Sequence, residues 1–285
     1  DYGHLGIDLT GPTGGVVRVD DIQIEDVSAV FTRDLLAIVD VLDYGAKGDG
    51  VTDDSAAFEA ADAAANGRTV MVPPGDYLLQ DSVTMENHVK FEGRIVQDAT
   101  YRFIMQRGFN YDAYLDAFKD EELAFKKAYQ ALINFSDHES LDLCGRRVAL
   151  TAPVDMQACD PTRTEFATRR VIRNGQFQPV AGAAWDTEVF TSTATYAAAN
   201  DLVLTNVVNI ANIPVGSLVT GNGVGREIYV RAVDTGAQTL ELSAPLYDAE
   251  GSQLFTFTRF KYLLDFSGYD KLSQFVIDDI EFQGS

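Results

Sequence analysis

The block from Val41 to Phe58, together with the short strands after it, restricts the fold of this chain more than any other feature. A short apolar strand meets Gly45, Gly48 and Gly50, which supply tight turns. A helix then begins, with Thr52 as the predicted N-cap and Asp53 and Asp54 at the positive end of its dipole. The helix presents Ala57, Phe58, Ala61, Ala64 and Ala65 on one face and stops at Asn66-Gly67, a left-handed terminator. Strand, turn and strand come next in Thr69 to Leu79, with further short strands at Val83 to Met85 and Val89 to Ile95. A short helix succeeded only by short strands and tight turns predicts a helix closing the open end of a parallel β-solenoid. A phosphate-cradling loop is not predicted at Gly45 to Gly50, because no Gly-Lys-Ser/Thr comes after it and the local acidity repels phosphate. Asp49, Asp53 and Asp54 are accordingly turn and cap residues rather than catalytic acids.

A second copy of the pattern lies further along the chain. Asp120 to Ala128 aligns with Asp53 to Ala61 on a shared Ala-Phe-x-x-Ala core, and Leu141 to Leu150 falls where strand, turn and strand should be. The helix places Phe125, Ala128, Tyr129, Leu132 and Ile133 on one face and pairs Glu122 with Lys126 at i,i+4. Tyr111, Tyr114, Leu115 and Phe118 precede it at helical spacing and are read as core. Val171 to Phe177 reads as one rung with an Asn-Gly turn. From Asp201 to Phe257 the texture changes to many short β segments bounded by Gly, Pro or Asn, as in a small β-barrel or sandwich. Rungs resume at Tyr262 to Gly268 and Phe275 to Gly284.

Three resemblances sharpen this reading. The run "D-Y-G-A-K-G-D-G-x-T-D-D-x-x-A-F" from Asp43 to Phe58, then "V-x-V-P-P-G-x-Y" from Val70 to Tyr77, resembles the opening signature of the pectate-lyase-like superfamily shared by polygalacturonases and phage tailspikes. That resemblance implies a right-handed parallel β-helix, with this block as its N-terminal cap and first coil. Gly15 to Asp26 alternates apolar and polar residues and resembles the closing strand of jelly-roll carbohydrate-binding modules. The pattern "V-G-S-L-V-T-G-N-G-V" with "T-L-E-L-S-A-P-L" resembles a small β module inserted in phage tail and spike proteins. The predicted organisation is mainly β: 1–40 ending a preceding jelly-roll-like module plus linker; 41–200 the cap and first β-helix coils with a helical insertion around 109–135; 201–259 a small inserted antiparallel β domain; and 260–285 resumed coils.

Composition narrows the function. Acidic residues outnumber basic ones 43 to 22, giving a net charge of −21, so a nucleic-acid partner is not expected. No apolar run of about 18 residues predicts a membrane span. His4, His88 and His138 lack metal-ligand spacing, and no D-x-D-x-D-G run supports the Ca²⁺ that bridging to an anionic sugar would use, so no cofactor is expected. Cys144 and Cys159 are read as a buried thiol pair rather than a disulfide. Glycosidic cleavage needs two carboxylates at one bond, or a base with Ca²⁺ in a lyase, on coils several rungs past the cap. No catalytic residue is therefore assigned, and any would lie beyond Ser285; the start at Asp1 reads as a processed, excised or partial chain. Trp185 as a stacking platform and Asp278, Asp279 and Glu281 on a late rung are the candidate carbohydrate-binding residues. The resemblance implies a polysaccharide partner, a homotrimer with other particle or tail components, and an extracellular or virion-surface location. The alternatives are a secreted lyase or glycoside hydrolase, and a structural or adhesive protein without catalysis.

Overall fold

The computed structural model describes residues 37–134 and 138–284, so the predicted jelly-roll strand at Gly15 to Asp26 and His4 lie outside the described residues. The protein is mainly β. Strand β1 (Ile38–Asp40) leads through a 3-10 turn into β2 (Asp49–Asp53) and helix α1 (Ser55–Ala65). Asp54, not Thr52, is the N-cap, and its side chain makes no bond to the helix. The carboxylate instead accepts from Lys47 N at 2.7 Å and Gly48 N at 3.1 Å, while Asp49 accepts from the backbone of Val51 and Thr52. Tying the glycine turn takes precedence over capping. Replacing Asp54 with Ala leaves two turn N–H groups without their acceptor. The expected loss is about 2 kcal/mol, read as a lower urea midpoint at unchanged m.

Six short strands come next: β3 (Thr69–Val72), β4 (Asp76–Leu79), β5 (Val83–Met85), β6 (Val89–Phe91), β7 (Arg94–Gln97) and β8 (Phe103–Met105). Each pairs in parallel with its counterpart one lap later: Val70 with Val89, Tyr77 with Ile95, and Val83 with Phe103. Alternation along the strands turns Val70, Val72, Tyr77, Leu79, Val83 and Met85 inward, where all are at most 1% exposed. Helix α1 lays Ala57, Phe58, Ala61 and Ala65 onto this core, with Phe58 edge-on to Tyr77 at 5.5 Å. Its inward Asp62 has its hydrogen bonds met locally, accepting from Glu86 N, Asn87 N and Asn87 Nδ2.

Two helices separate this first stack from a second. In α2 (Tyr111–Phe118), Asn110 caps through Ala113 N, and Tyr111, Tyr114 and Phe118 face the core as their spacing predicts. In α3 (Glu121–Asn134), Asp120 accepts from Leu123 N and Lys126 meets Glu122 at 2.6 Å. The second stack comprises β9 (Ser140–Leu150), β10 (Val154–Asp155), β11 (Glu165–Phe166) and β12 (Arg170–Pro179); β9 pairs in parallel with β12, and β10, β11 and β12 pair in parallel with strands late in the chain. Before those come β13 (Glu188–Tyr196), β14 (Val203–Thr205), β15 (Leu218–Thr220), β16 (Val230–Asp234), β17 (Thr239–Leu242) and β18 (Gly251–Arg259). These six form one antiparallel sheet in the order β15-β18-β13-β14-β17-β16 around a hydrophobic cluster of their own. The sheet begins at Glu188 rather than Asp201. Strand β13 carries the alternation Ser192, Ala194, Tyr196 inward, hidden in sequence among threonines and alanines.

The last strands, β19 (Leu264–Asp265), β20 (Lys271–Leu272) and β21 (Phe275–Phe282), return to pair with β10, β11 and β12. Both cysteines are free, but only Cys159 is buried, which corrects the expected buried pair. Cys144 occupies the outer bend of β9 with φ 58°.

Candidate functional site

Three parallel strands, β9, β12 and β21, carry the sequence-predicted carboxylates. Each strand bends at left-handed backbone: Cys144 and Gly145 in β9, Asn174 in β12 and Asp279 in β21, with φ between 50° and 68°. Asn and Asp tolerate that conformation because their short polar side chains bond locally. Asn174 Nδ2 donates to Asp142 Oδ1 at 2.8 Å, and Cys144 N donates to the same atom at 2.7 Å. The bend breaks the two-residue alternation, so Asp278, Asp279 and Glu281 are all exposed.

Register puts partners beside them. Arg173 lies between Asp142 on β9 and Asp278 on β21, and its Nη2 reaches Asp142 Oδ2 at 3.1 Å. Beyond the bend, Gln176 lies between Arg147 and Glu281, and Arg147 donates to Gln178 Oε1 at 3.3 Å. The result is a ladder of outward polar side chains at the ordinary strand spacing of about 4.8 Å. Beneath it the buried Phe177 stacks at 5.8 Å on Phe282, which is itself 47% exposed.

The ladder ends at a cleft of about 300 Å³ lined by Pro179, Trp185, Lys261, Leu263, Phe282 and Gln283, with Gly284 at its rim. Trp185 closes a 3-10 turn (Ala183–Trp185), is half-buried, and donates its indole N–H to Val180 O at 2.9 Å. Opposite it, Lys261 is held by Glu188 at 2.7 Å. Gln283 links cleft to ladder by donating to Glu281 Oε1 at 3.1 Å. Thus Glu281 and Trp185 share one neighbourhood through Gln283, whereas Asp278 and Asp279 lie across the bend. Sequence reasoning did not find Arg147, Arg173 and Lys261. The signal was present: Val171 to Phe177 and Val276 to Phe282 align residue for residue, and that alignment is the register.

The site offers guanidinium donors, carboxylate acceptors and an aromatic face, a combination suited to a ligand dense in hydroxyl groups. Elsewhere, the carboxyls whose proton affinity is displaced are displaced downward. Hydrogen bonds from Ser55 and Gln80 lower Asp53. Burial alone would raise Asp160, but Thr162, Asn134 and Arg102 outweigh it and hold it low. These groups anchor structure; a general acid needs the opposite shift. Among the described residues no cluster of three or more His, Cys, Asp or Glu could hold a metal ion, and no helix is long and apolar enough to cross a membrane.

Comparison with known proteins fixes the family. The profile described as rhamnogalacturonase A/epimerase, pectate lyase-like, matches residues 38–243. The chain belongs to this pectate lyase-like family. A stretch of 46 residues is 56% identical to the exopolygalacturonase clone GBGA483 of Arabidopsis thaliana, covering 15% of this chain and 10% of that protein. The family match spans α1, both parallel stacks up to β12, and the antiparallel sheet through β17. Pectate lyase-like membership thus agrees with the opening motif, and it suggests a protein that acts on polysaccharide.

Proposed function

We propose that the chain engages an extracellular polysaccharide through the ladder on β9, β12 and β21 and the Trp185 cleft, on a right-handed parallel β-helix into which 188–259 is inserted as a separate domain. The observation that carries this reading is the run of paired polar side chains across stacked parallel strands, ending at a half-buried indole beside Lys261. Successive sugar residues have hydroxyls to meet Arg173, Arg147 and Glu281, and a pyranose face fits the Trp185 ring. Membership of the pectate lyase-like family supports an enzyme that cleaves such a polymer as a hydrolase or lyase. The test is affinity electrophoresis over a panel of plant, algal and bacterial polysaccharides, paired with reducing-sugar release and the ultraviolet absorbance of unsaturated ends. Trp185→Ala is expected to weaken binding to the retained polymer about tenfold, the worth of one aromatic contact. Unchanged retention of Trp185→Ala and Arg173→Ala alike places the polysaccharide elsewhere.

A second reading, a spike or fibre subunit of a phage or phage-like particle, is favoured by the antiparallel module between β12 and β19. Its sequence resembles modules of phage tail proteins. That reading carries a homotrimer, contacts with other particle components and a virion-surface location. Light scattering giving one chain mass at every concentration counts against it.

A further inference from the structure

A groove of about 470 Å³ runs over the outside of the first stack. Its floor is bare backbone: Gly48, Gly75 and Gly93 come from three successive laps, tied by Asp76 N to Gly48 O and Arg94 N to Gly75 O, both at 2.9 Å. Along its side Asp49, Asp76 and Arg94 stand in register, and Arg94 holds Asp76 through Nε at 2.6 Å and Nη2 at 3.1 Å. Lys119, the left-handed residue that ends α2 with φ 56°, also lines it.

Lys119 lines a second cleft too, of about 480 Å³, between the start of α3 and the end of β9, with Glu122, Lys126, Ala149 and Thr151 among its walls. Ala149 is in register with Gln178, the acceptor of the Arg147 bond, and the next residue, Pro179, lines the Trp185 cleft. Shared or adjoining residues thus join three clefts, from the first lap to the last strand. Cationic donors recur along them at Arg94, Lys119, Lys126, Arg147 and Lys261, on a chain whose acids outnumber its bases 43 to 22. Donors for hydroxyl oxygens are therefore present at every stage of the path.

We propose that these three clefts form one furrow holding an extended internal run of the polysaccharide, so that the ligand is a long polymer rather than a chain end or a short oligomer. This rests on the reading of the ladder and the Trp185 cleft as the polysaccharide site, and deepens it. Six laps at about 4.8 Å, with α2 between the stacks, give a path on the order of 30 Å. A polymer that meets donors along that path gains with each added sugar, because every contact after the first is intramolecular. The groove of the first stack and the Lys119 cleft contribute only to ligands long enough to reach them.

The test is isothermal titration calorimetry of the full chain with pectin, alginate and dextran, and with size-fractionated oligomers of each. Lys119→Asn removes the ammonium where two clefts meet, and asparagine tolerates the left-handed backbone, so Tm should match wild type. Wild-type affinity is expected to climb with oligomer length. Lys119→Asn should equal wild type on the shortest oligomers bound and fall about tenfold below it on the polymer, the worth of one charged hydrogen bond. Glu92→Ala, at the first-stack groove, should repeat that pattern, whereas Trp185→Ala weakens binding at every length. Affinity that levels off at the shortest bound oligomer would overturn the furrow. So would groove variants that follow wild type on the polymer while Trp185→Ala weakens it, and either result leaves the ladder reading standing. Polymer binding that neither Trp185→Ala nor Arg173→Ala changes, or no binding to any of the polysaccharides, overturns both.

Discussion

Lys127→Met is expected to cost about 3 kcal/mol of stability, measured as a fall in the urea midpoint. Lys127 is 2% exposed and enters the core from α3. Its ammonium donates to Gln97 Oε1 at 3.1 Å, Asp98 O at 2.5 Å and Tyr101 O at 2.7 Å, so one cation closes the turn between β7 and β8. Methionine keeps the stem but leaves three buried acceptors without a donor. A pH series separates this from packing. Burial pushes the Lys127 pKa down to about 8, opposed by the Asp98 carboxylate. The unfolded value is about 10.4. Between these two pH values the unfolded chain holds a proton that the folded chain has released, so wild-type stability relative to Lys127→Met rises with pH. The gap should widen by up to about 3 kcal/mol between pH 8 and 10, and narrowing would show that the three acceptors outweigh burial. Readings stay below pH 10 because burial, helped by Asp40 and Asp54, raises Tyr77 to about 12, and the stability such tyrosines carry is lost above 10.

Local chemistry makes part of this legible in the sequence. The turn-and-cap reading of Asp49, Asp53 and Asp54, the core face of α3 and the Glu122–Lys126 pair all rest on contacts within a few residues, and period and propensity report those well. The N-cap lies two residues beyond Thr52, and Asp54 does not look like one because its carboxylate has a competing use in the glycine turn. The antiparallel sheet starts ahead of Asp201 on β13, which buries Ser192 and Ala194, residues that do not announce an inward face. At the candidate site, Trp185 and the three carboxylates could be named one by one. Their partners could not, since Arg173 stands in register with Asp278 on strands separated in sequence by the whole antiparallel sheet. Register is a tertiary fact, and one bend at Asn174 resets which side chains face out.

Gly93→Ala carries the second large expectation, a loss of at least about 3 kcal/mol, a large share of the roughly 5–15 kcal/mol that holds an ordinary domain folded. The reason is room rather than backbone freedom. A Cβ on Gly93 would stand 2.4 Å from Pro73 O, 2.7 Å from Gly75 O and 2.8 Å from the Tyr77 ring. Two of these are backbone atoms of the preceding lap, and Tyr77 is fully buried against Phe58, so none can step aside as a surface side chain would. The lap spacing is itself fixed by the parallel bonds of β4 to β7 and β3 to β6, including Arg94 N to Gly75 O at 2.9 Å. Adding one methyl therefore pushes two laps apart or breaks those bonds. Gly45→Ala serves as the comparison: its added Cβ meets nothing within 4 Å, although its φ of 102° is one that only glycine adopts readily. That substitution should cost about 1 kcal/mol. If the two variants unfold at the same urea concentration, close stacking of the laps at Gly93 is not what holds the first stack together. If Gly93→Ala alone falls far below, the steric contact between laps sets the stability of the first stack.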